Sequence, residues 1–300
     1  MQHPDLGSVR RYGWVAAAAS RPSQLLLVLG VYLFGVIVAA AGDVSVDPRQ
    51  VVLGAIPLTA LAASIHYANE YADHETDALT DPTPFSGGSG ALVETGVGRG
   101  FVRRLGYGTL GVGLLVAVAF WASGTVGAAA LGVLVAATAL GWQYSVGPLR
   151  LAWRGLGELT NAALGGLALP AYGAAVVGGS VPRVTLAAVP FALVVLLNLF
   201  ATQWPDREAD AAVGKQTLAV RWGPRRLRVV YAAVAALAGG LLLALHPVVL
   251  PTAVVLASLP AVPLVVWGWY GYTRRRVPWP TVTAMVVLVT LQFAAWVRAV

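Results

Sequence analysis

The chain contains no cysteine, which excludes disulfides, thiolate metal sites and cysteine nucleophiles. Charge is scarce as well. Only 11% of the 300 residues are Asp, Glu, Lys or Arg, against about 25% in soluble proteins, so a sizeable water-exposed domain is excluded. Lysine occurs once, at Lys215, so the net charge of +7 is carried by arginine. Those arginines sit between apolar runs, which reads as topology and phosphate chemistry and not as a nucleic-acid face; no nucleic-acid partner and no obligate protein partner is expected. The first twenty residues, with Asp5 and the Arg10-Arg11 pair, lack a signal-peptide cleavage pattern, so the N-terminus is expected to be retained.

What is abundant is apolar sequence: 58% hydrophobic residues and a mean hydropathy of +0.73. Uncharged runs long enough to cross about 30 Å of hydrocarbon recur throughout. Nine spans are expected, at 23–41, 51–70, 105–122, 125–144, 157–178, 184–204, 227–246, 249–270 and 280–298. All should be helices, because hydrocarbon cannot satisfy an open backbone. The fold class is therefore all-α: one polytopic domain over 1–300, nine helices around a central apolar cavity, capped by two acidic loops. Gly106, Gly108, Gly111, Gly113, Gly165 and Gly166 are read as close helix packing, not as a nucleotide loop.

Cation placement sets the expected orientation. With the N-terminus inside, seventeen Lys and Arg face the cytoplasm and three, Arg49, Arg183 and Arg298, face outward. The long connections 71–104 and 205–226 then emerge together on the cytoplasmic side of an integral cell-membrane protein. Their acidic motifs start 133 residues apart, from Asp73 to Asp206, so two four-helix halves at 21–144 and 157–270, plus a ninth helix, are a plausible organisation.

The first motif, Asn69-Glu-Tyr-Ala-Asp73-His-Glu-Thr-Asp77, sets Asn69, Asp73 and Asp77 on one helical stripe; the second is Asp206-Arg-Glu-Ala-Asp210. Like charges one turn apart repel, so a cation is expected between them. Asp43/Asp47 and Asp77/Asp81 repeat the spacing, but the first pair lies on the outer side and Asp81 precedes Pro82, which favours a helix end; both take a structural reading. Hard oxygen ligands on two facing helix ends suit Mg²⁺ shared with substrate phosphates. A transporter with acidic cytoplasmic gates is the reading from another class; it needs an ionisable group deep in a span, where only Asn161, Asn198 and Gln292 are found.

At these motifs the chain resembles the UbiA superfamily of intramembrane prenyltransferases, whose pattern is NxxxDxxxD after the second helix and DxxxD after the sixth. The similarity extends to Arg21-Pro22, Thr83-Pro-Phe-Ser-Gly-Gly-Ser89, the stretch from Tyr144 to Glu158, and Gly214-Lys-Gln-Thr-Leu-Ala-Val-Arg-Trp-Gly223. Thr83–Ser89 and Gly214–Gly223 look most like the branch acting on 1,4-dihydroxy-2-naphthoate in menaquinone biosynthesis. The resemblance implies Mg-dependent transfer of a prenyl chain from a polyprenyl diphosphate through an allylic carbocation. Asn69, Asp73 and Asp77 would hold one Mg²⁺, and Asp206 and Asp210 a second. Arg21, Lys215, Arg150 and Arg221 would bind diphosphate, with Arg21 also suited to anchor the interface, and Arg154 and Gln203 would contact the acceptor. Tyr144, with Tyr71 and Trp204 nearby, offers a cation–π face, and His66 or His74 could take a proton. A glycerol ether lipid, a carotenoid end or 4-hydroxybenzoate would serve as acceptor on the same machinery.

Overall fold

The computed structural model describes residues 7–42, 44–80 and 83–300. Asp5, Asp43, Asp81 and Pro82, which the sequence reading weighed, lie outside the described residues.

The described residues are helical and carry nine stretches long and apolar enough to span a membrane. In chain order the helices are α1 (Ser8–Ala19), α2 (Pro22–Ala40), α3 (Pro48–Asp77), α4 (Ala91–Thr95), α5 (Gly100–Ala122), α6 (Ala128–Ser145), α7 (Gly157–Ala163) and α8 (Leu169–Val176). They continue with α9 (Val181–Gln203), α10 (Arg207–Ala212), α11 (Leu218–Arg221), α12 (Pro224–Ala244), α13 (Thr252–Ser258), α14 (Ala261–Gly271) and α15 (Trp279–Val297). The spans match the apolar runs, with two breaks inside them. A π-helical turn at Leu164–Ala168 joins α7 to α8 just before Pro170, and Pro260 separates α13 from α14, because proline removes a helical donor and clashes with the preceding turn.

The first expected span, 23–41, is α2, and ahead of it stands a helix that was not expected. Arg21 takes a left-handed φ of 54°, so Val9–Ala40 is two helices, with α1 a separate short one. Its inner side, Val15 and Ala19, packs with Tyr67 of α3, Leu92 of α4 and Val102 of α5, while Tyr67 donates its hydroxyl to the Ala16 carbonyl at 2.9 Å. The other side exposes Val9, Tyr12 and Trp14 beside Arg10 and Arg11.

The tightest helix crossing is α2 on α8. A Cβ on Gly35 would run into the Pro170 backbone and one on Gly173 into the Tyr32 carbonyl, so both positions need hydrogen to let the backbones meet. Tyr32 and Tyr172 then donate to the Val51 and Gly54 carbonyls of α3, each at 2.8 Å. Of the glycines picked out as packing residues, Gly106, Gly113 and Gly166 abut Tyr67, Leu61 and Ala192; Gly108 and Gly111 face open space, and Gly165 makes only an ordinary contact with Val195.

At about 1.5 Å per residue, the thirty residues of α3 reach some 45 Å, well beyond the hydrocarbon. The C-terminal end of α3, with Asp73 and Asp77, extends beyond the expected span 51–70 and packs against α10.

Candidate active site

Asn69, Asp73 and Asp77 all fall within α3, so their spacing of four becomes one stripe of the helix. The second motif is built differently. Pro205 follows the end of α9, Asp206 caps the short α10, and the Asp210 amide donates to the Asp206 carbonyl at 2.8 Å. Gly214, at a φ of +80°, then reverses the chain after α10, a conformation that glycine adopts without strain. The Lys215 amide consequently closes on the Asp210 carbonyl at 2.8 Å and the side chain turns back over the motif.

That ammonium is the cation the paired acids require. Lys215 Nζ donates to Asp73 Oδ1 at 3.0 Å and lies 3.4 Å from Asp210 Oδ1, linking α3 to the second loop. Its side chain is 11% exposed, and Asp73 and Asp210 are 16% and 3% exposed. Burial, the largest influence, pulls the Lys215 pKa down, yet Asp73 and Asp210 together raise it above its ordinary value, so it stays charged. Burial raises Asp206 to about 6, with neighbouring Asp210 adding to the rise and a Ser86 hydrogen bond and Lys215 opposing it. Asp210 is also raised, first by burial, against the pull of Lys215.

The loop at Thr83–Ser89 closes over these acids. Thr83 and Ser86 exchange backbone hydrogen bonds and join hydroxyls at 2.8 Å, and Phe85 sets its ring edge on Trp279 of α15 at 4.7 Å. Gly88, with φ +69°, lies so close to the Asp77 carboxylate that a Cβ would collide with it. Glu70, one residue beyond the Asn69 stripe and 2% exposed, fixes the loop from below: it accepts the Ser89 amide at 2.9 Å and hydroxyl at 2.8 Å. The same carboxylate takes Arg21 Nε at 3.0 Å and Nη2 at 2.6 Å, so Arg21 sits on Glu70 with Asp73 and Asp77 within its electrostatic reach.

The remaining candidates divide by position. Asn69 Oδ1 accepts from Ser145 at 2.7 Å. Tyr144, partly buried, lies in the field of Lys215, Asp73, Glu158 and Asp210; Gly157 leaves it room, since a Cβ there would stand 3.3 Å from its Cε2. Gln203 Oε1 is buried without a hydrogen bond. Trp204 is buried, 6.4 Å from Tyr272, with Arg207 stacked 4.1 Å over its ring. Arg150, Arg154 and Arg221 are exposed and form no ion pair with the motif acids: Arg150 lies over Trp153, Arg154 reaches the Pro148 carbonyl, and Arg221 the Arg154 carbonyl. Tyr71 lies beneath Arg99 and Arg103. His66 Nδ1 pairs with the Ser20 carbonyl at 2.7 Å, and His74 Nδ1 is buried without a partner.

Three site residues carried no role in the sequence reading: Glu70, Ser86 and Glu158. Glu158 is 1% exposed, accepts the Leu218 amide at 2.7 Å and leaves Oε2 unpaired. The available signal was an acid inside an otherwise uncharged run, which a membrane helix retains only with a partner.

The donor set fits Mg²⁺. Asp206 Oδ1 and Asp210 Oδ1 are buried without hydrogen bonds, and Lys215 shows that a cation is accommodated between the motifs. Among the described residues no three His, Asp or Glu side chains group closely enough to hold an ion alone, which suits a metal that completes its shell with water and substrate phosphates.

A polytopic helical membrane protein with paired acids and one buried lysine at a common helix end has the make-up of an intramembrane enzyme for diphosphates. The UbiA prenyltransferase family profile matches residues 27–282, and the chain belongs to that family. It is a prenyltransferase. A UbiA homologue from Archaeoglobus fulgidus bound to DMAPP and Mg²⁺ superposes with a TM-score of 0.71 at 17% identity, covering 95% of this chain and 99% of that one. An apo UbiA homologue from Aeropyrum pernix K1 gives 0.69 at 18%, covering 90% and 96%. A digeranylgeranylglyceryl phosphate synthase gives 0.68 at 12%, covering 96% and 99%. A comparison with curated proteins gave no match.

Proposed function

We propose that the protein transfers a polyprenyl chain from its diphosphate to a ring carbon of 1,4-dihydroxy-2-naphthoate, at the cytoplasmic face of the cell membrane and with two Mg²⁺ ions. The observation that carries the transfer chemistry is the Lys215 ammonium held between Asp73 and Asp210. It brings positive charge to the place where both acidic motifs meet, as a departing diphosphate requires.

Asp73 and Asp77 with Asn69, and Asp206 with Asp210, are the residues that would hold the ions. When bound, Mg²⁺ neutralises the negative charge that develops on the leaving diphosphate. Lys215 donates hydrogen bonds to diphosphate oxygens, and Arg21, braced on Glu70, adds a second cation beside Asp77. The Thr83–Ser89 loop keeps water from the reacting carbon. The bond from the prenyl carbon to diphosphate oxygen breaks with its electron pair leaving on oxygen, and the Tyr144 ring faces the cation that remains. The ring carbon bearing the carboxylate supplies the new carbon–carbon bond, and that carboxylate departs as CO₂. The unpaired Gln203 Oε1 is the acceptor contact best supported by position.

The naphthoate rests on the resemblance of Thr83–Ser89 and Gly214–Gly223 to that branch; the bound DMAPP and Mg²⁺ of the Archaeoglobus homologue support the donor and the metal. The test is an assay of purified protein with Mg²⁺, a labelled polyprenyl diphosphate and a panel of naphthoate, benzoate and glycerol ether acceptors. It is joined to quinone profiling of a deletion strain. Loss of menaquinone with accumulation of the naphthoate is the expected result. Unchanged menaquinone in a host with no second copy overturns the acceptor and leaves prenyl transfer standing.

A further inference from the structure

Beside the Lys215 loop, α7, α9, α11 and α12 enclose a groove of about 460 Å³. Its walls are Leu159, Leu196, Phe200, Leu218, Val230 and Val234, all apolar. Its rim carries two guanidinium groups, Arg221 and Arg226. Neither forms an ion pair among the described residues, and Arg226 is stacked 4.1 Å over the Trp222 ring, which is half-buried at the same rim. Arg221 Nη1 donates to the Arg154 carbonyl at 3.1 Å, which holds it in place without neutralising it. Val234 lies eight residues beyond Arg226 in α12, so the groove runs about 12 Å from the cationic rim toward the middle of the membrane. A long apolar slot with paired, uncompensated cations and a tryptophan at one end matches a molecule with one anionic head and an extended hydrocarbon tail.

We infer that this groove is a binding site for an anionic membrane phospholipid, its phosphate between Arg221 and Arg226 and one acyl chain along Leu196, Phe200 and Val230. The charge complementarity selects the occupant, because a zwitterionic lipid would set its own cation against two arginines. A helix from a partner protein would cover the apolar walls and leave both guanidinium groups unmatched. The site is independent of the acceptor assignment, since none of its walls belongs to the acidic motifs.

Native mass spectrometry of the detergent-purified chain, incubated with equal amounts of phosphatidylglycerol and phosphatidylcholine of the same acyl length, tests this directly. Wild type should retain phosphatidylglycerol in preference, and Arg226→Gln should lower that adduct about fivefold, the effect of one cation near an anionic headgroup. Val230→Trp fills the tail groove and should lower it comparably by a route that leaves the cations intact, so a folding failure of one variant leaves the other to decide. Arg298→Gln, at the opposite end of the chain, should bind as wild type. Equal retention of the two lipids overturns the inference. So does wild-type retention in both groove variants, displacement by inorganic phosphate, or a second copy of the chain in place of the lipid.

Discussion

Lys215 Nζ stands 3.0 Å from Asp73 Oδ1, a bond that joins positions 142 residues apart and makes one site of two acidic motifs. Asp210 lies 3.4 Å from the same nitrogen. Replacing Lys215 by Met leaves two buried carboxylates facing each other without a cation. The expected outcome is a loss of turnover of about a hundredfold or more, with a larger fall in stability in the absence of metal than in Asp73→Asn/Lys215→Met, because the two acids then repel. Steady-state kinetics and detergent melting curves on the single and double variants check this, with the double variant expected to recover stability and not activity. Wild-type turnover in Lys215→Met would remove the lysine from the mechanism.

Asp73→Asn and Asp206→Asn should each reduce turnover by about a hundredfold or more while the protein remains folded, because these acids serve the ion and not the apolar packing. Chelation should do the same to wild type. Activity measured against Mg²⁺ concentration, with size-exclusion profiles as a folding control, gives the answer. Near-normal rates in both variants, or full activity in excess chelator, would rule out the metal role.

The spans and the two motifs were legible because they obey local rules: apolar runs of membrane length and a repeat of four within a helix. The need for a cation between the acids was legible too, from like-charge repulsion. What escaped is what depends on distant pairing. Glu70 meets Arg21 across 49 positions and Ser89 across 19, and no spacing rule announces such partners. α1 escaped for a different reason. Arg10 and Arg11 interrupt its hydrophobicity, so a window sized for a membrane span passes over a short helix that packs on one face.

Glu70 should be a positioning residue whose loss costs stability and loop order together. Glu70→Gln removes the charge that holds Arg21 while keeping shape, and breaking a buried pair costs roughly 3–5 kcal/mol, toward the lower end here because Arg21 remains 20% exposed. Glu70→Gln/Arg21→Met should be less destabilised than the sum of the single changes. Strict additivity in melting experiments would show that the pair contributes nothing beyond its separate residues.

Gly88→Ala and Gly96→Ala separate backbone strain from collision. Both glycines have positive φ, +69° and +66°, so each change carries a strain on the order of 1 kcal/mol. Only Gly88 has the Asp77 carboxylate where the new Cβ would stand; Gly96 has nothing within 4 Å. The expected result is comparable stability in the two variants, with a raised Mg²⁺ requirement in Gly88→Ala alone. Matching Mg²⁺ dependence in both would mean that the loop does not press on Asp77 during turnover.

The Lys215–Asp73 bond also constrains topology, because it requires the loops that follow α3 and α9 to emerge on one side of the membrane. We propose that this side is the cytoplasm, on the bias of seventeen cations to three. The absence of cysteine makes the test clean, since any introduced thiol is the only one in the chain. Glu94→Cys and Gln216→Cys place exposed thiols in the two loops, and Ser123→Cys places one in the turn between α5 and α6. In intact cells an impermeant maleimide should label Ser123→Cys alone, and after lysis it should label all three. Labelling of Glu94→Cys and Gln216→Cys in intact cells, with Ser123→Cys protected, would invert the orientation and keep the site. A split between Glu94→Cys and Gln216→Cys would be fatal to the site itself, because Lys215 could not then reach Asp73.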